Sequence, residues 1–348
     1  MKGVTIRDVA QAAEVSIASA SRALNGVGRV GVETRARILH AAERLRYVPH
    51  EGARSLSTRR TGTIGMVLPD LHGEFFSEML RGADQAARVA GLQLLVSTSH
   101  GDPAEAATAL RSMRGRVDGL LIMSPHLDEA FLDRNVPAAI PAVLLNERGC
   151  PSRPALNVAD RDGAAAMVRH LAAGGRRRIA HVAGAEGNGD SAERLRGYLE
   201  TRPDALPDAY VVQGDYTFGS GYAAGRALAA LRPRPDAIFC ANDLMAVGCL
   251  KALRDAGVAV PDEVAVGGFD DVPMAGVVQP ALTTMRTNIA RLGARALERL
   301  AAAVERGEPA STDSETIVPE LVIRASCGGA RRDRGAAGER AEQGSEAI

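Results

Sequence analysis

Tryptophan is absent from this chain of 348 residues, and the other aromatic residues make up only 3% of it. No run of about 18 consecutive apolar residues occurs, so the sequence offers no candidate membrane span. The first residues also lack the apolar core of a signal peptide, and we therefore expect a cytoplasmic protein with no membrane partner. The hydrophobic fraction of 46% is that of a folded chain and excludes a disordered or fibrous protein.

Cysteine and histidine are scarce, with four and seven residues. The cysteines form no Cys-x-x-Cys pair, and no two histidines stand four residues apart with an acidic partner, so we expect no metal site. The glycine-rich segment 184–189 matches neither a dinucleotide fingerprint nor a P-loop, and no Gly-x-Ser-x-Gly elbow occurs. We therefore expect no cofactor and no enzymatic activity.

The net charge of zero hides an uneven distribution. Residues 1–60 contain eleven Lys and Arg against five Asp and Glu, so this segment carries +6 and the remainder −6. A small basic module joined to a large acidic one is typical of a nucleic-acid-binding head on a body with another task. A solvated charged surface is the alternative interpretation.

The basic segment has the pattern of three short helices. Thr5, followed three residues later by Asp8, predicts the start of the first helix, and Ser16 can cap a second. Three helices in about 45 residues, with a tight turn between the first two, predict a helix-turn-helix whose second helix enters the major groove. Its outward residues are Ser16, Ile17, Ala18, Ser21, Arg22 and Asn25. Three-helix modules also serve as docking domains.

From residue 63 onward, short apolar runs alternate with amphipathic stretches. Strands are predicted at 63–68, 92–97, 119–123, 142–145, 179–183, 210–213, 237–241 and 264–269, and helices at 75–90, 164–173 and 244–256, among others. This alternation predicts an α/β body with parallel sheets, and its length favours two similar subdomains. Ligands of such sheets bind at the carboxyl ends of strands. Polar residues at those ends are Asp70, Asn146, Asp160, Asn242, Asp243, Asp270 and Asp271. They suit a neutral polyhydroxylated ligand, although a strand-end acid more often caps a helix.

Several head segments are distinctive when taken in order. They are Thr5-Ile6-Arg7-Asp8-Val9-Ala10, Ala13-Glu14-Val15-Ser16, Ser21-Arg22-Ala23-Leu24-Asn25, Thr34-Arg35, Leu45-Arg46-Tyr47-Val48-Pro49 and Ala53-Arg54-Ser55-Leu56. They resemble the head and hinge of the lactose-repressor (LacI/GalR) family. The resemblance implies DNA contacts by Ile6, Ser16, Ile17, Ala18, Ser21, Arg22, Asn25, Arg29, Thr34, Tyr47, His50, Ala53 and Leu56.

Leu56 has a particular role in that resemblance, since the family's hinge leucine wedges into the minor groove. A lone large apolar residue in an Arg-rich linker suits such a wedge, although it could also pack on the body. Glu14 stands where the family usually has glycine, and a positive φ there would cost on the order of 1 kcal/mol. Gly31 replaces a usual serine, and His50 a usual asparagine.

The body continues the resemblance through residue 326. The matching segments are Ser191-Ala192-Glu193-Arg194-Leu195-Arg196-Gly197-Tyr198, Ala241-Asn242-Asp243, Ala246-Val247-Gly248, Val266-Gly267-Gly268-Phe269-Asp270-Asp271, Pro280-Ala281-Leu282-Thr283-Thr284 and Pro319-Glu320-Leu321-Val322-Ile323-Arg324. The resemblance implies ligand contacts by Arg194, Tyr216, Asn242 and Asp270. On the first subdomain it implies a wall of Asp70, His72, Phe75 and Phe76, with Asn146 and Arg148 facing the cleft.

The expected fold class is therefore α/β, with a three-helix helix-turn-helix head and a two-subdomain, periplasmic-binding-protein-like body of parallel α/β sheets. The expected boundaries are a head at 1–48, a hinge at 49–61, a body at 62–326 and a disordered tail at 327–348. The tail has no leucine heptad, so we expect a homodimer.

The expected function is that of a ligand-controlled transcription regulator that binds a pseudo-palindromic operator in double-stranded DNA. We expect a repressor of carbohydrate-utilisation genes that a sugar or a sugar derivative releases from DNA. A purine-type co-repressed regulator is the alternative, because purine and sugar sensors share the positions of Arg194, Tyr216 and Asp270. A sugar-binding protein without a regulatory role would share the body but would need no basic head.

Overall fold

The computed structural model describes residues 4–25, 30–47, 60–123, 128–148, 150–203, 206–307 and 312–328. The chain divides into two compact units. The first, the head unit, contains the residues up to Thr63 together with residues 115–118, and the second, the body, contains the rest. Each is described by itself below.

Three helices form the head: α1 (Ile6–Ala12), α2 (Ile17–Asn25) and α3 (Val32–Arg44). Their inward faces carry the apolar stripes expected from the sequence. The buried residues of this small core are Val9, Ala10, Ala13, Ala20, Ala23, Ile38, Ala41 and Ala42. The predicted helix-turn-helix is therefore present, with α1 and α2 as its first two helices.

Local hydrogen bonds fix the ends of these helices. The carboxylate of Asp8 accepts from the backbone N–H of Thr5 at 2.7 Å and from its hydroxyl at 2.8 Å. The hydroxyl of Ser16 accepts from the N–H of Ser19 at 3.1 Å and so caps α2. Glu14, in the turn between α1 and α2, has φ of 51°. The strain expected from a non-glycine residue at this position is therefore present.

The body contains twelve described strands and nine described α-helices. The strands are β1 (Thr63–Leu68), β2 (Gln93–Thr98), β3 (Gly119–Ile122), β4 (Ala142–Leu145), β5 (Ala155–Val158), β6 (Ile179–Ala183), β7 (Val211–Gln213), β8 (Ala237–Cys240), β9 (Ala265–Gly267), β10 (Thr284–Arg286), β11 (Glu315–Ile317) and β12 (Glu320–Val322). The helices are α4 (Glu74–Val89), α5 (Pro103–Met113), α6 (Glu129–Asn135), α7 (Asp160–Ala173), α8 (Gly189–Thr201), α9 (Phe218–Ala230), α10 (Asp243–Asp255), α11 (Pro273–Val277) and α12 (Ile289–Arg306).

The strands build two separate sheets, each the centre of a lobe. The first lobe has a six-stranded sheet in the order β11-β5-β4-β3-β1-β2, and the second has a four-stranded sheet in the order β7-β6-β8-β9. The pairs β1–β3, β3–β4, β4–β5 and β5–β11 are parallel, as are β6–β7, β6–β8 and β8–β9. Strands β10 and β12 form a short antiparallel pair. The predicted α/β class with parallel sheets is confirmed.

The chain crosses between the lobes three times. It leaves the first sheet after β5, returns after β10 through α12 and β11, and leaves again for β12. We call residues 158–160, 286–289 and 317–320 the crossovers. The sequence predicted neither β5 nor β10–β12, because a polar or charged residue interrupts each of these short apolar runs: Asn157, Arg286, Glu315 and Glu320. Helix α7 begins at Asp160 rather than at the predicted residue 164, since its polar first turn resembles a loop.

The predicted hinge and tail fall largely outside the described residues. Among residues 49–61 only Arg60 and Thr61 are described, and of the tail only Cys327 and Gly328. Within the described residues, no helix has the length and apolar character needed to cross a membrane.

Helices α4 and α12 approach each other closely at two glycines. A Cβ on Gly82 would lie 1.8 Å from the carbonyl oxygen of Ala290, and one on Gly293 would lie 2.3 Å from that of Met79. Gly82→Ala should therefore lower the free energy of unfolding by about 1–3 kcal/mol, because the two backbones must separate. Urea unfolding followed by circular dichroism measures this loss.

The matched control is Gly276→Ala, because a Cβ there meets no atom of the described residues within 4 Å. An equal change in unfolding free energy for the two variants would contradict the role of the close helix approach.

Candidate effector site

A buried arginine stands at the centre of the body. Arg194, on α8, is only 4% exposed. Its Nε donates to Oδ1 of Asp160 at 2.7 Å, and its Nη1 donates to the carbonyl oxygen of Ala241. The guanidinium carbon lies 3.9 Å from the centre of the Phe269 ring. A buried guanidinium requires such partners, since removing it from water is costly.

Asp160 and Asp190 join Arg194 to the first lobe. Arg148, in the segment after β4, donates to Oδ2 of Asp160 at 2.6 Å and to Oδ1 of Asp190 at 2.7 Å. The side-chain amide of Asn146 donates to the other oxygen of Asp190 at 2.8 Å. Because Asp190 lies on α8 and Arg148 follows β4, these bonds bridge the two lobes. We call Asn146, Arg148, Asp160, Asp190, Arg194 and Asp270 the ion-pair network.

Asp270, just beyond β9, completes this network. Its Oδ1 lies 3.4 Å from Nη2 of Arg194, an ion pair without a well-directed hydrogen bond. The same Oδ1 is buried and has no hydrogen-bond partner among the described residues, and neither has Oδ1 of Asn146. Unpaired buried acceptors are uncommon in folded proteins. Two of them here indicate a place where a bound molecule can donate hydrogen bonds.

The backbone is strained at three of the predicted ligand residues. Asn146, Tyr216 and Asp270 have φ of 53°, 71° and 108°, in the left-handed region that favours glycine. Each conformation costs free energy that the surrounding structure must offset, and such residues cluster at binding sites. The strain supports a functional role for all three positions.

Tyr216 and Asn242 form a second set of contacts beside the network. The Tyr216 hydroxyl donates to Oδ1 of Asn188 at 3.2 Å, and a Cβ on Gly184 would fall 2.2 Å from the Tyr216 ring. The Asn242 amide nitrogen donates to the carbonyl oxygen of Tyr216 at 3.1 Å. Its oxygen accepts from the N–H of Met245 at 2.9 Å and caps α10. Both ends of the Asn242 amide are thus engaged in positioning Tyr216 and the helix.

Burial controls the charges in the network. It raises the pKa of Asp270 to about 7, against the opposing effect of Arg194. Burial, followed by the nearby Asp160, also raises the pKa of Asp190. For Arg194, burial alone would lower the pKa, but Asp160 and Asp270 outweigh it and keep the guanidinium charged. Arg194 therefore stays charged, whereas the carboxyl groups of Asp190 and Asp270 protonate more readily than usual.

The four residues predicted for the first-lobe wall lie apart from these contacts. Asp70 is exposed, and its Oδ1 accepts from the backbone N–H groups of Leu71 and His72 at 2.6 and 3.1 Å. The rings of Phe75 and Phe76 meet edge to face at 5.3 Å and pack on the body core. No described contact joins these residues to Arg194. Their role in the ligand wall stays a prediction.

The residues predicted to contact DNA have three placements. The first group points outward from the start and body of α2 and consists of Ser16, Ala18, Arg22 and Ile17, which is 47% exposed. Ile6, Ser21, Thr34 and Tyr47 are half-buried, and Ile6 and Tyr47 pack on the head core. Arg29, His50, Ala53 and Leu56 lie outside the described residues, as does the side chain of Asn25.

Sequence reasoning missed Asp190 altogether. It stands four residues before Arg194 on α8, so the i,i+4 spacing places both side chains on one helix face. That spacing was the available signal. Asp160 is predicted as a strand-end polar residue, and Arg148 is implied by the resemblance alone. Their contact with each other depends on packing that sequence spacing does not reveal. Among described residues, no three His, Cys, Asp or Glu side chains gather as metal ligands.

Known protein families match segments of both the head and the body. Residues 5–50 match "Bacterial regulatory proteins, lacI family", and residues 168–327 match the periplasmic binding protein-like domain. The HTH-type transcriptional repressor PurR of Photobacterium profundum is 31% identical over 330 residues, which cover 92% of this chain and 98% of that protein. The chain belongs to the LacI family of bacterial transcription regulators.

Solved structures extend this LacI-family assignment to the whole fold. The lac repressor dimer bound to operator and the anti-inducer ONPF has a TM-score of 0.83 and 27% identity, covering 94% of this chain and 99% of that one. The complex of the transcriptional regulator CelR with cellobiose has a TM-score of 0.68 and 29% identity, covering 93% and 99%. The predicted family and periplasmic-binding-protein-like body are confirmed, and the relatives are transcription regulators rather than enzymes.

The raised pKa of Asp270 predicts that the free energy of unfolding of this LacI-family regulator depends on pH. Because its pKa in the folded protein is about 7 against the ordinary 3.8, its stabilising contribution is complete below about pH 4 and is lost as the pH rises through 7. Asp270→Asn has no carboxyl group to deprotonate and suffers no such loss. The unfolding free energy of the variant minus that of the wild type should therefore rise between about pH 4 and 7, by at most ~4 kcal/mol, and then level off.

Urea unfolding at several pH values measures that difference. Asp271→Asn is the control, because its carboxylate binds Arg286 at 2.7 Å and Arg324 at 2.6 Å, and removing it should bring no gain. A pH-independent difference for Asp270→Asn would contradict the raised pKa.

Proposed function

We propose that this LacI-family regulator is a repressor of carbohydrate-utilisation genes that a neutral saccharide releases from DNA. The observation that carries the proposal is that two buried oxygens of the ion-pair network, on Asn146 and Asp270, accept no hydrogen bond from a described residue. Saccharide hydroxyls are the donors that such oxygens need. The protein acts in the cytoplasm, where its operator lies.

The charges of the network favour an uncharged ligand. Three carboxylates surround two guanidinium groups, and each guanidinium is already paired. A sugar phosphate or sugar acid would add a negative charge without a free cation to meet it. A neutral polyol can instead donate to the carboxylates through its hydroxyls.

A purine co-repressor is the second candidate, favoured by the similarity to PurR and by Tyr216. A purine needs aromatic faces to stack against. Around the network, however, the Phe269 ring is covered by Arg194, and the Tyr216 ring packs closely against Gly184. These contacts favour the saccharide over the purine.

Release from DNA would follow from the way the network bridges the lobes. Asn146 and Arg148 come from the first lobe, and Asp190 and Arg194 from the second, so a molecule bound among them changes how the lobes are held. The free energy available for switching equals the difference between the ligand's affinities for the two arrangements. The dimer would transmit this change to two heads that read a pseudo-palindrome.

DNA binding would rest on the exposed face of α2 and on the predicted hinge. Ile17 and Ala18 can meet thymine methyl groups, and Arg22 can reach a phosphate or a base edge. Leu56, outside the described residues, is proposed as the minor-groove wedge.

Thermal unfolding with a panel of saccharides, sugar phosphates and purines tests the effector class. A ligand at 100 times its dissociation constant should stabilise the protein by about 2.7 kcal/mol. We expect a shift with a neutral saccharide and none with its phosphate. Arg194→Lys should abolish the shift, because lysine keeps the charge but loses the forked donors.

Arg196→Lys is the matched control, since Arg196 lies on the same helix and forms an exposed pair with Glu193. A shift with purines alone would establish the second candidate. A normal response of Arg194→Lys to the saccharide would remove Arg194 from the site.

Operator binding can be tested on an operator selected from random DNA, followed by fluorescence anisotropy. Arg22→Ala should weaken binding by about 1–3 kcal/mol, and Leu56→Ala should weaken the specific operator more than random DNA. Affinity should fall steeply with salt, because bound phosphates release counterions.

The control is Arg88→Ala, an exposed arginine on α4 of the body. Equal losses for Arg22→Ala and Arg88→Ala, or a flat salt profile, would argue against a DNA-reading role for α2.

A further inference from the structure

A single carboxylate holds the chain at the point where the predicted hinge ends. Asp118, which directly precedes β3, accepts three hydrogen bonds from Thr61 and Gly62. Its Oδ1 accepts from the backbone N–H of Thr61 at 2.7 Å and from the Thr61 hydroxyl at 3.0 Å. Its Oδ2 accepts from the backbone N–H of Gly62 at 2.7 Å. We call Thr61, Gly62 and Asp118 the hinge anchor.

The backbone of the hinge anchor is shaped to receive this carboxylate. Gly62 has φ of 69°, in the left-handed region that favours glycine. Two consecutive N–H groups, those of Thr61 and Gly62, thereby point at the same carboxylate, and such pairs form concave binding sites for anions. Hydrogen bonds from backbone N–H groups to a carboxylate are among the stronger ones in proteins. The chain is therefore held here by more than its covalent path.

The hinge anchor continues directly into the sheet of the first lobe. Thr63 begins β1, and its N–H donates to the Thr61 hydroxyl at 3.2 Å. The N–H of Asp118 donates to the carbonyl oxygen of Thr63 at 2.8 Å, and the parallel pairing of β1 with β3 follows at Ile64 and Gly119. Both strands are inner strands of the six-stranded sheet. A movement of these strands is therefore passed on to Thr61 and Gly62.

A carboxylate that accepts backbone hydrogen bonds can also serve stability alone, and Asp102 is an example. It accepts from the N–H groups of Ala104 and Glu105 at 2.6 and 3.1 Å and so caps α5. Those bonds close a local turn, whereas the bonds of Asp118 reach residues 56 and 57 positions earlier in the chain. They hold the segment that joins the DNA-binding head to the first lobe. Operator binding depends on that segment, because a pseudo-palindrome requires two heads at a fixed spacing.

We propose that Asp118 is a positioning residue for operator binding. It acts through the hinge rather than by contact with DNA, because it fixes the path of the chain where the hinge meets the first lobe. In the dimer proposed above, that path sets the spacing at which the two heads meet their half-sites. Without Asp118 the heads would still bind DNA, but over a wider range of spacings, because a chain that is less preorganised pays more to be ordered on binding.

Operators of different spacing, offered to the full-length protein, test this role. An operator is selected from random DNA with the wild type, and its centre is then lengthened or shortened by one and two base pairs. In fluorescence anisotropy, the wild type should bind the selected spacing about tenfold more tightly than the altered ones.

Asp118→Ala should bind the selected spacing about tenfold more weakly than the wild type, an effect of the size expected for one strong hydrogen bond. Its affinity for the altered spacings and for random DNA should stay unchanged. The preference for one spacing should therefore disappear, which a general loss of stability would not produce.

Asp102→Ala is the matched control, because it also removes a carboxylate that accepts backbone hydrogen bonds in the first lobe. It should lower the free energy of unfolding, as Asp118→Ala does, but keep the preference for the selected spacing. Two milder variants change Thr61. Thr61→Val has the same shape without the hydroxyl and should weaken the spacing preference, whereas Thr61→Ser keeps the hydroxyl and should retain it.

Three results would overturn the inference: a wild type that binds all spacings equally, an undiminished spacing preference in Asp118→Ala, or an equal loss of that preference in Asp102→Ala. Asp118 would have this role whatever the class of effector, so a missing response to saccharides would count against the proposed function alone. A wild type that selects no operator at all would contradict both.

Discussion

The burial of the Arg194 guanidinium is the constraint on which the effector site depends. A charge removed from water is tolerated only where its donors are met by acceptors, and Arg194 takes them from three parts of the body. Asp160 follows β5, Ala241 follows β8 and Asp270 follows β9. Because these segments must converge on one guanidinium, the carboxyl ends of their strands are held at fixed positions. A binding site thereby forms where parallel sheets generally place one.

The same requirement ties the lobes together without a ligand. Arg148 reaches from the first lobe to Asp160 and Asp190, and Asn146 reaches to Asp190 as well. At the start of α4, the Glu74 carboxylate accepts from the backbone N–H of Met274 at 2.8 Å, a second bridge between the lobes. An effector that binds between the lobes therefore meets hydrogen bonds and ion pairs that already join them. It must replace existing contacts, so its affinity reflects the difference between new and old bonds.

The sequence predicted the parts of this arrangement that depend on local pattern. The caps at Thr5 and Ser16, the apolar stripes of the head and most buried strands follow from spacing of two to four residues. Arg194 and Asp270 were found through the resemblance to a family. Asp190 was missed because side chains at i,i+4 on a helix are usually solvated. Here α8 packs on α7 and β6, and both Asp190 and Arg194 are buried. Asn242 shows the converse, since a strand-end amide predicted to hold ligand also caps α10.

Strain and unpaired acceptors occur together at Asn146 and Asp270, which argues against a purely structural role for either. A residue that served only to hold the fold could relax its backbone or acquire a hydrogen-bond partner. Instead, both keep a left-handed backbone and a buried oxygen that accepts no hydrogen bond from a described residue. Such a state is retained when a further partner completes it, because the free energy that the apo protein forgoes is recovered on binding. Asn146 and Asp270 belong to different lobes, and the described contacts connect them through Asp190, Arg148, Asp160 and Arg194. A ligand that donates to both oxygens, as proposed, would therefore also bear on the distance between the lobes, and ligand recognition and switching would then be one event.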